Sequence, residues 1–267
     1  MNCGPFSGYG FSIDVCDWTW SWTFVDTPAI WCHVAICVVY AASVKLLQMW
    51  VAGQSNYKPP AWLEPFRMVH NISLAIVSFI MFVVMTGVII LDGRLNSWHN
   101  MSCLLTPNTG VYGFINFIYL VSKIWEWFDT YILVLNKKPV IMLHWFHHMT
   151  TFTMAALIHN FPVGGFALIN CLVHSVMYMH YATPVRWARP FITSSQLIQF
   201  VIVLSIHAHG LLYPTTCFDV RPWFYEWFFC MFVVSSFFFM FLAFFVQEYI
   251  VKGNKKDSGK RASKKSE

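Results

Sequence analysis

Seven apolar runs dominate this chain, at 28–50, 68–91, 112–135, 140–159, 163–182, 192–212 and 223–249. Each is close to the roughly 20 residues a helix needs to cross a bilayer. The segment before them, 1–27, carries Asp14, Asp17 and Asp26 and no Lys or Arg. It lacks the basic start of a signal peptide, so the run from Pro28 reads as a first membrane helix. Turn signals such as Lys58-Pro59-Pro60, Lys138-Pro139 and Arg189-Pro190 separate the runs. Charged residues are only 11% and hydrophobic residues 57%, against about 25% charged in ordinary globular chains. Such a chain cannot cover a water-facing surface, which excludes a soluble domain and a disordered one. The 8 cysteines show no CxxC spacing and so suggest neither a zinc site nor a disulfide-rich scaffold. No internal repeat and no second domain is visible. The expectation is an all-α membrane protein: an N-terminal segment 1–27, a seven-helix domain 28–250 and a basic tail 251–267. A six-helix alternative would drop one weak run and place both termini on one side.

If seven helices alternate, segments 51–67, 136–139, 183–191 and 251–267 share one face. They hold Lys58, Arg67, Lys137, Lys138, Arg186, Arg189 and the seven basic residues of the tail, thirteen of the 17 in the chain. The positive-inside rule makes that face cytosolic, with the C-terminus on it and the N-terminus opposite.

Polar groups inside such helices are costly unless they face a protein interior or a watered cavity. The third run contains Lys123, Glu126 and Asp129, spaced by three. The fourth has His144, His147 and His148 at i, i+3 and i+4, on one side of a helix. The fifth carries Asn170 and His174, then Tyr178 and Tyr181, and the sixth Thr193, Gln196 and Gln199. At about 1.5 Å per residue, His147 and His174 both lie roughly 12 Å below the basic face. Asp129 and the two glutamines fall at about 6–11 Å by the same reckoning. A polar chamber opening toward the cytosol is the economical reading, since bundles build sites from side chains on facing helices. Lys123 and Glu126 also read as an ion pair that merely neutralises charge. His33, His70, His99, His159 and His180 lie near ends or loops and read as bland. The phenylalanines of the seventh run read as lipid-facing and packing surface.

Two chemistries suit such a cluster. Histidines could hold iron, as in membrane oxygenases and desaturases, but an all-histidine dinuclear centre needs about eight ligands. One metal on His144, His148 and a third residue stays open. Alternatively, an uncharged imidazole attacks a thioester and gives a reactive acyl-imidazole, with amide donors holding the oxyanion and a carboxylate fixing a tautomer. A basic rim of Lys137, Lys138, Arg186 and Arg189 would suit a polyphosphorylated thioester, or would simply signal topology. A seven-helix receptor would not be expected to gather four inward histidines, and a transporter would more often show a repeat.

The motifs resemble the elongase family of very-long-chain fatty acid synthesis, the membrane 3-ketoacyl-CoA synthases. Its Lys-x-x-Glu-x-x-Asp-Thr motif matches Lys123, Glu126, Asp129 and Thr130, and its His-x-x-His-His box matches His144, His147 and His148. A later motif matches at His174, Met177, Tyr178 and Tyr181, with Ser175 in place of Val and His180 in place of a Tyr. A Thr-x-x-Gln-x-x-Gln motif matches Thr193, Gln196 and Gln199. The resemblance implies seven helices, six enclosing a narrow acyl tunnel, in the endoplasmic reticulum membrane. It implies condensation of a long-chain acyl-CoA with malonyl-CoA to a 3-ketoacyl-CoA, CO2 and CoA, without metal or redox cofactor. His147 would be the nucleophile, by family resemblance alone. His174 would handle protons with Asn170, His144 and His148 would orient the cluster, and Gln196 or Gln199 would hold negative charge. Lys123, Glu126, Tyr178, Tyr181 and the rim would contact substrate. Implied partners are the bilayer, coenzyme A esters, the reductase, dehydratase and enoyl reductase of the cycle, and a second copy of the chain, but no nucleic acid. The string around Lys137 resembles the branch acting on saturated and monounsaturated chains. Lys264 and Lys265 look like a dilysine retrieval signal, Asn100 begins a glycosylation sequon, and Cys103 and Cys217 fall in loops where a disulfide is chemically permitted.

Overall fold

The structure is a computed structural model that describes residues 6–8, 11–13, 27–104, 110–158, 164–185, 187–213, 217 and 224–251. Most of segment 1–27, Arg186 and the tail with Lys264 and Lys265 therefore lie outside the described residues. A three-residue antiparallel pair, β1 (Phe6–Gly8) with β2 (Phe11–Ile13), is the only strand structure among them. The rest is helical: α1 (Thr27–Gly53), α2 (Leu63–Leu91), α3 (Trp98–Cys103), α4 (Gly110–Glu126), α5 (Phe128–Leu135), α6 (Met142–Ile158), α7 (Gly164–Ala182), α8 (Ala188–Leu212) and α9 (Phe224–Phe245). A π-helical turn, Val246–Val251, prolongs α9.

Among the described residues, four stretches are long and apolar enough to cross a membrane: Val34–Gly53, Leu63–Leu91, Ala188–Leu212 and Trp227–Val251. Helices α4 and α6 have 17 residues each, the short end of the spanning range. The third apolar run is one path with a hitch. At Trp127 the bonds tighten, Trp127 N–H reaching Ile124 O at 3.1 Å and Thr130 N–H reaching Trp127 O at 3.0 Å, a 3₁₀-type step. That step separates Lys123 and Glu126 on α4 from Asp129 on α5.

Local chemistry sets the ends. α2 stops where Gly93 takes φ +70°, a left-handed conformation that glycine adopts without steric cost. Ser97 caps α3 by accepting the Asn100 N–H at 2.9 Å. α5 closes in a Schellman turn: Lys138 N–H bonds Leu133 O at 2.9 Å and Lys137 N–H bonds Val134 O at 3.0 Å, with Lys137 at φ 52°. Pro139 then prevents the helix from continuing.

The helices close a ring. α2 packs on α7, α7 on α8, α8 on α9, α9 on α6, α6 on α4 and α4 back on α2, while α1 lies against α5. Polarity is inverted relative to a soluble bundle. On α2 the inner stripe holds His70, Asn71, Ser78, Met81 and Met85, whereas Ile76, Phe79, Ile80 and Val83 are exposed. An apolar outer surface over a partly polar interior suits hydrocarbon as solvent. The phenylalanines of α9 divide the same way. Phe228, Phe232 and Phe239 face outward and Phe237 is 1% exposed inside the ring, so the stripe divides between outer and packing surface.

Candidate functional site

A cavity of about 570 Å³ opens inside the ring at the end where α2 begins. Its wall includes Asp129, His144, His147, His148, His174, Tyr178, Tyr181, Thr193, Gln196 and Gln199, so the four dispersed motifs meet in one place. The geometry follows from helix periodicity. The i, i+3, i+4 spacing on α6 brings His144 and His148 to 4.3 Å between ring centroids and sets His147 perpendicular to His148 at 5.4 Å. Across the ring His174 approaches His147 at 6.3 Å, and Phe237 lies against His147 at 5.0 Å.

Behind His174 is a buried polar cluster. Lys123 and Glu126, 2% and 1% exposed, form an ion pair of 2.8 Å. Lys123 Nζ also donates to Asn170 Oδ1 at 3.2 Å and sits 4.4 Å over the Tyr119 ring, while Tyr119 OH donates to Asn170 at 2.9 Å. Glu126 Oε1 lies 3.3 Å from His174 Nδ1, close enough for electrostatic pairing although off the line of a hydrogen bond. Neither Lys123 nor Glu126 lines the cavity. Their spacing turns them inward from α4, where they stand behind His174.

Asp129 is held by α2 and α7. It accepts from His70 Nε2 at 2.9 Å and from Tyr178 OH at 2.7 Å. The imidazole it orients is therefore that of His70, fully buried, and not one of the α6 box. Sequence reasoning dismissed His70 as a residue near a helix end. Its alignment with Leu74, Ser78 and Met81, at i+4, i+8 and i+11 on one stripe, was the available signal. His144 is fixed from elsewhere: its Nε2 shares a 3.0 Å hydrogen bond with Thr130 Oγ1, which is bonded in turn to Tyr40 OH at 2.6 Å. Trp127 Nε1 donates to the His148 carbonyl at 3.0 Å.

Several buried polar atoms of the cavity wall lack a partner among the described residues: Nδ1 of His147 and of His148 and Oε1 of Gln199. Buried polar groups are ordinarily paired, so orphans converging on one chamber suit a site that binds a polar reactant. Gln196 Nε2 rests 3.5 Å from Met177 Sδ, a weak contact that a better acceptor would displace. Glu126, His147 and His174 also place ligand atoms within 4.8 Å of one another, the described donors at this centre best disposed to hold a metal. That set differs from the alternative left open by the sequence, His144, His148 and a third residue; here His144 Nε2 is bonded to Thr130 Oγ1.

The mouth is basic. Lys138, Arg189 and Arg67 border the cavity, whereas Lys137 turns away over the Tyr57 ring at 5.3 Å. The Schellman turn explains the split, since its left-handed residue sends successive side chains to different sides. Arg67 is anchored by Glu64 and by the Tyr181 carbonyl. Tyr249, brought inward by the π turn, meets Thr193 at 3.4 Å and completes the wall. π turns frequently mark functional sites.

Asn100 lies at the opposite end of α2, its side chain donating to Gly93 O at 3.1 Å. Cys103 and Cys217 are disulfide-bonded there.

Comparison with known proteins agrees with this arrangement. The profile of the ELO: GNS1/SUR4 family matches residues 27–257. Fatty acid elongase A of Dictyostelium discoideum is 30% identical over 229 residues, covering 80% of this chain and 82% of that protein. Long chain fatty acid elongase 2 of Caenorhabditis elegans is 34% identical over 179 residues, 62% of this chain and 64% of its own. Very long chain fatty acid elongase 6 of Drosophila melanogaster is 32% identical over 166 residues, 57% and 52% respectively. With the family profile spanning every helix from α1 to the π turn, this chain belongs to the ELO: GNS1/SUR4 family.

Proposed function

We propose that this chain elongates fatty acyl chains by condensing a long-chain acyl-CoA with malonyl-CoA, giving a 3-ketoacyl-CoA, CO2 and free CoA. The observation that carries the reading is the convergence of His147, His174 and Gln199 on one chamber beneath a basic mouth. In the first half-reaction an imidazole nitrogen of His147 attacks the thioester carbonyl. The carbon–sulfur bond breaks, and CoA leaves as the thiol while an acyl-imidazole remains. In the second, malonyl-CoA loses CO2, and its enolate carbon takes the acyl group as the carbon–nitrogen bond breaks. His174, with Glu126 behind it, passes the proton. Gln196 and Gln199 supply amide donors for the oxyanions, and Lys138 and Arg189 receive the CoA phosphates.

The same reading takes all seven apolar runs as membrane spans. The ring of six encloses the acyl chain as a tunnel, and α1 lies outside it. The cavity end faces the cytosolic side of the endoplasmic reticulum membrane, where acyl-CoA and the reducing and dehydrating enzymes of the cycle work. Saturated or monounsaturated chains are the substrates this reading favours. Labelled malonyl-CoA supplied with a panel of acyl-CoAs of graded length and unsaturation tests it. Two-carbon extension confined to His147-containing protein supports the proposal. Absence of extension across the panel removes it.

A further inference from the structure

The far end of the bundle carries a second cluster that the condensation does not use. His99 and Cys103 stand four residues apart on α3, hence on one face of that helix. His209 is on the last turn of α8, and Cys217 follows on a chain of bonds: Tyr213 N–H reaches His209 O at 3.1 Å, and Cys217 N–H reaches Tyr213 O at 2.9 Å. The two pairs meet. His99 Nδ1 is 3.2 Å from His209 Nε2 and 3.5 Å from Cys103 Sγ. All four ligand atoms lie within 4.8 Å of one another. His209 is 20 residues along α8 from Arg189 at the cavity mouth, which is about 30 Å.

We propose that these four residues form a redox-gated zinc site. Tetrahedral zinc with bonds of about 2.3 Å to sulfur and 2.0–2.1 Å to nitrogen requires edges near 3.3 Å between nitrogens and 3.5–3.6 Å between nitrogen and sulfur. The His99–His209 and His99–Cys103 separations already match those edges. The edge between the sulfurs differs because they are bonded to each other. A dithiol reductant supplies two electrons and two protons, becoming a disulfide itself, and leaves Cys103 and Cys217 as thiols. Zinc then displaces both thiol protons and binds two thiolates and two imidazoles, with the sulfurs parting to about 3.8 Å. Rotation about the side-chain bonds supplies most of that movement, the Cα atoms starting 4.5 Å apart. Tyr213 packs on His209 at 4.5 Å and edge-on to His99 at 6.4 Å, holding the imidazoles in place. The metal would keep α3 tied to the end of α8 across 114 residues when the covalent tie is lost. The cysteines lack the short CxxC spacing of sequence-readable zinc sites because each pairs with a histidine of its own segment.

The test uses the full chain in detergent, with the metal counted after desalting. Reduced protein is expected to retain about one zinc per chain more than the Cys103→Ser variant treated identically, and oxidised protein to show no such excess. Cobalt in place of zinc is expected to give a thiolate charge-transfer band in the reduced protein only. The Cys217→His variant cannot form the disulfide and keeps four ligands. It is expected to bind the extra zinc without reductant, which keeps the test independent of how reduction affects the fold. Equal zinc in reduced protein and Cys103→Ser, together with none gained by Cys217→His, overturns the proposal. So does bound cobalt without the thiolate band.

Discussion

Replacing Glu126 by Gln separates two roles that the buried cluster combines. Glu126 and Lys123 are 1% and 2% exposed and 2.8 Å apart. Removing one charge of such a pair leaves the other buried and uncompensated, at a cost of about 3–5 kcal/mol. That is a large share of the roughly 5–15 kcal/mol that holds a domain folded. Glu126→Gln alone is therefore expected to melt much earlier than the wild type. Adding Lys123→Met removes the orphaned charge. Stability should return to within about 1–2 kcal/mol, the residue being the lost Lys123–Asn170 bond. The rate should not return. Glu126 lies 3.3 Å from His174, and loss of a charge-assisted contact of about 1.5–3 kcal/mol translates to roughly a ten- to hundredfold fall in rate. Thermal melting in detergent and CoA release from acyl-CoA are read on both variants. A double variant that recovers both stability and rate would refute the positioning role of Glu126.

Other expectations follow from individual contacts. Asp129→Asn weakens bonds to both His70 and Tyr178 and should cost about 2–4 kcal/mol by melting, with Tyr178→Phe costing about half; equal losses would show that His70 gains little from Asp129. Phe237→Ala opens a hole beside His147 and should cost about 3–5 kcal/mol, whereas Phe232→Ala, on a side chain 59% exposed, should stay within about 0.5 kcal/mol. Arg189→Gln should raise the KM for acyl-CoA about three- to tenfold at low salt with little change in kcat, and the difference should shrink as salt screens it. A fall in kcat with unchanged KM would place Arg189 outside the CoA-binding mouth.

The sequence made the helix positions legible because a bilayer imposes a length. The run at 192–212 appears as Ala188–Leu212 and that at 163–182 as Gly164–Ala182. The hitch at Trp127 carries no such signal, being a matter of two bonds to carbonyls three residues back. The convergence of the histidines was legible from depth and periodicity together. Their partners were not: His70 stands 59 residues from Asp129 and Tyr40 stands 90 from Thr130, and no spacing rule links residues on helices whose packing order differs from their chain order. The split among the α9 phenylalanines was hidden for a related reason. Nearly every position there is apolar, so there is no contrast to reveal the inner face until α6 and α8 are seen against it.

Acyl transfer to His147 is the claim on which the mechanism rests, and mass mapping tests it directly. Purified protein is mixed with acyl-CoA alone, free CoA is quantified, and the peptides are mapped for an acyl adduct. The account predicts about one CoA released per chain, an acyl mass on the peptide containing His147, and loss of both in His147→Ala. Unmodified His147 with CoA released only once malonyl-CoA is added would contradict it and point to direct condensation between the two bound thioesters.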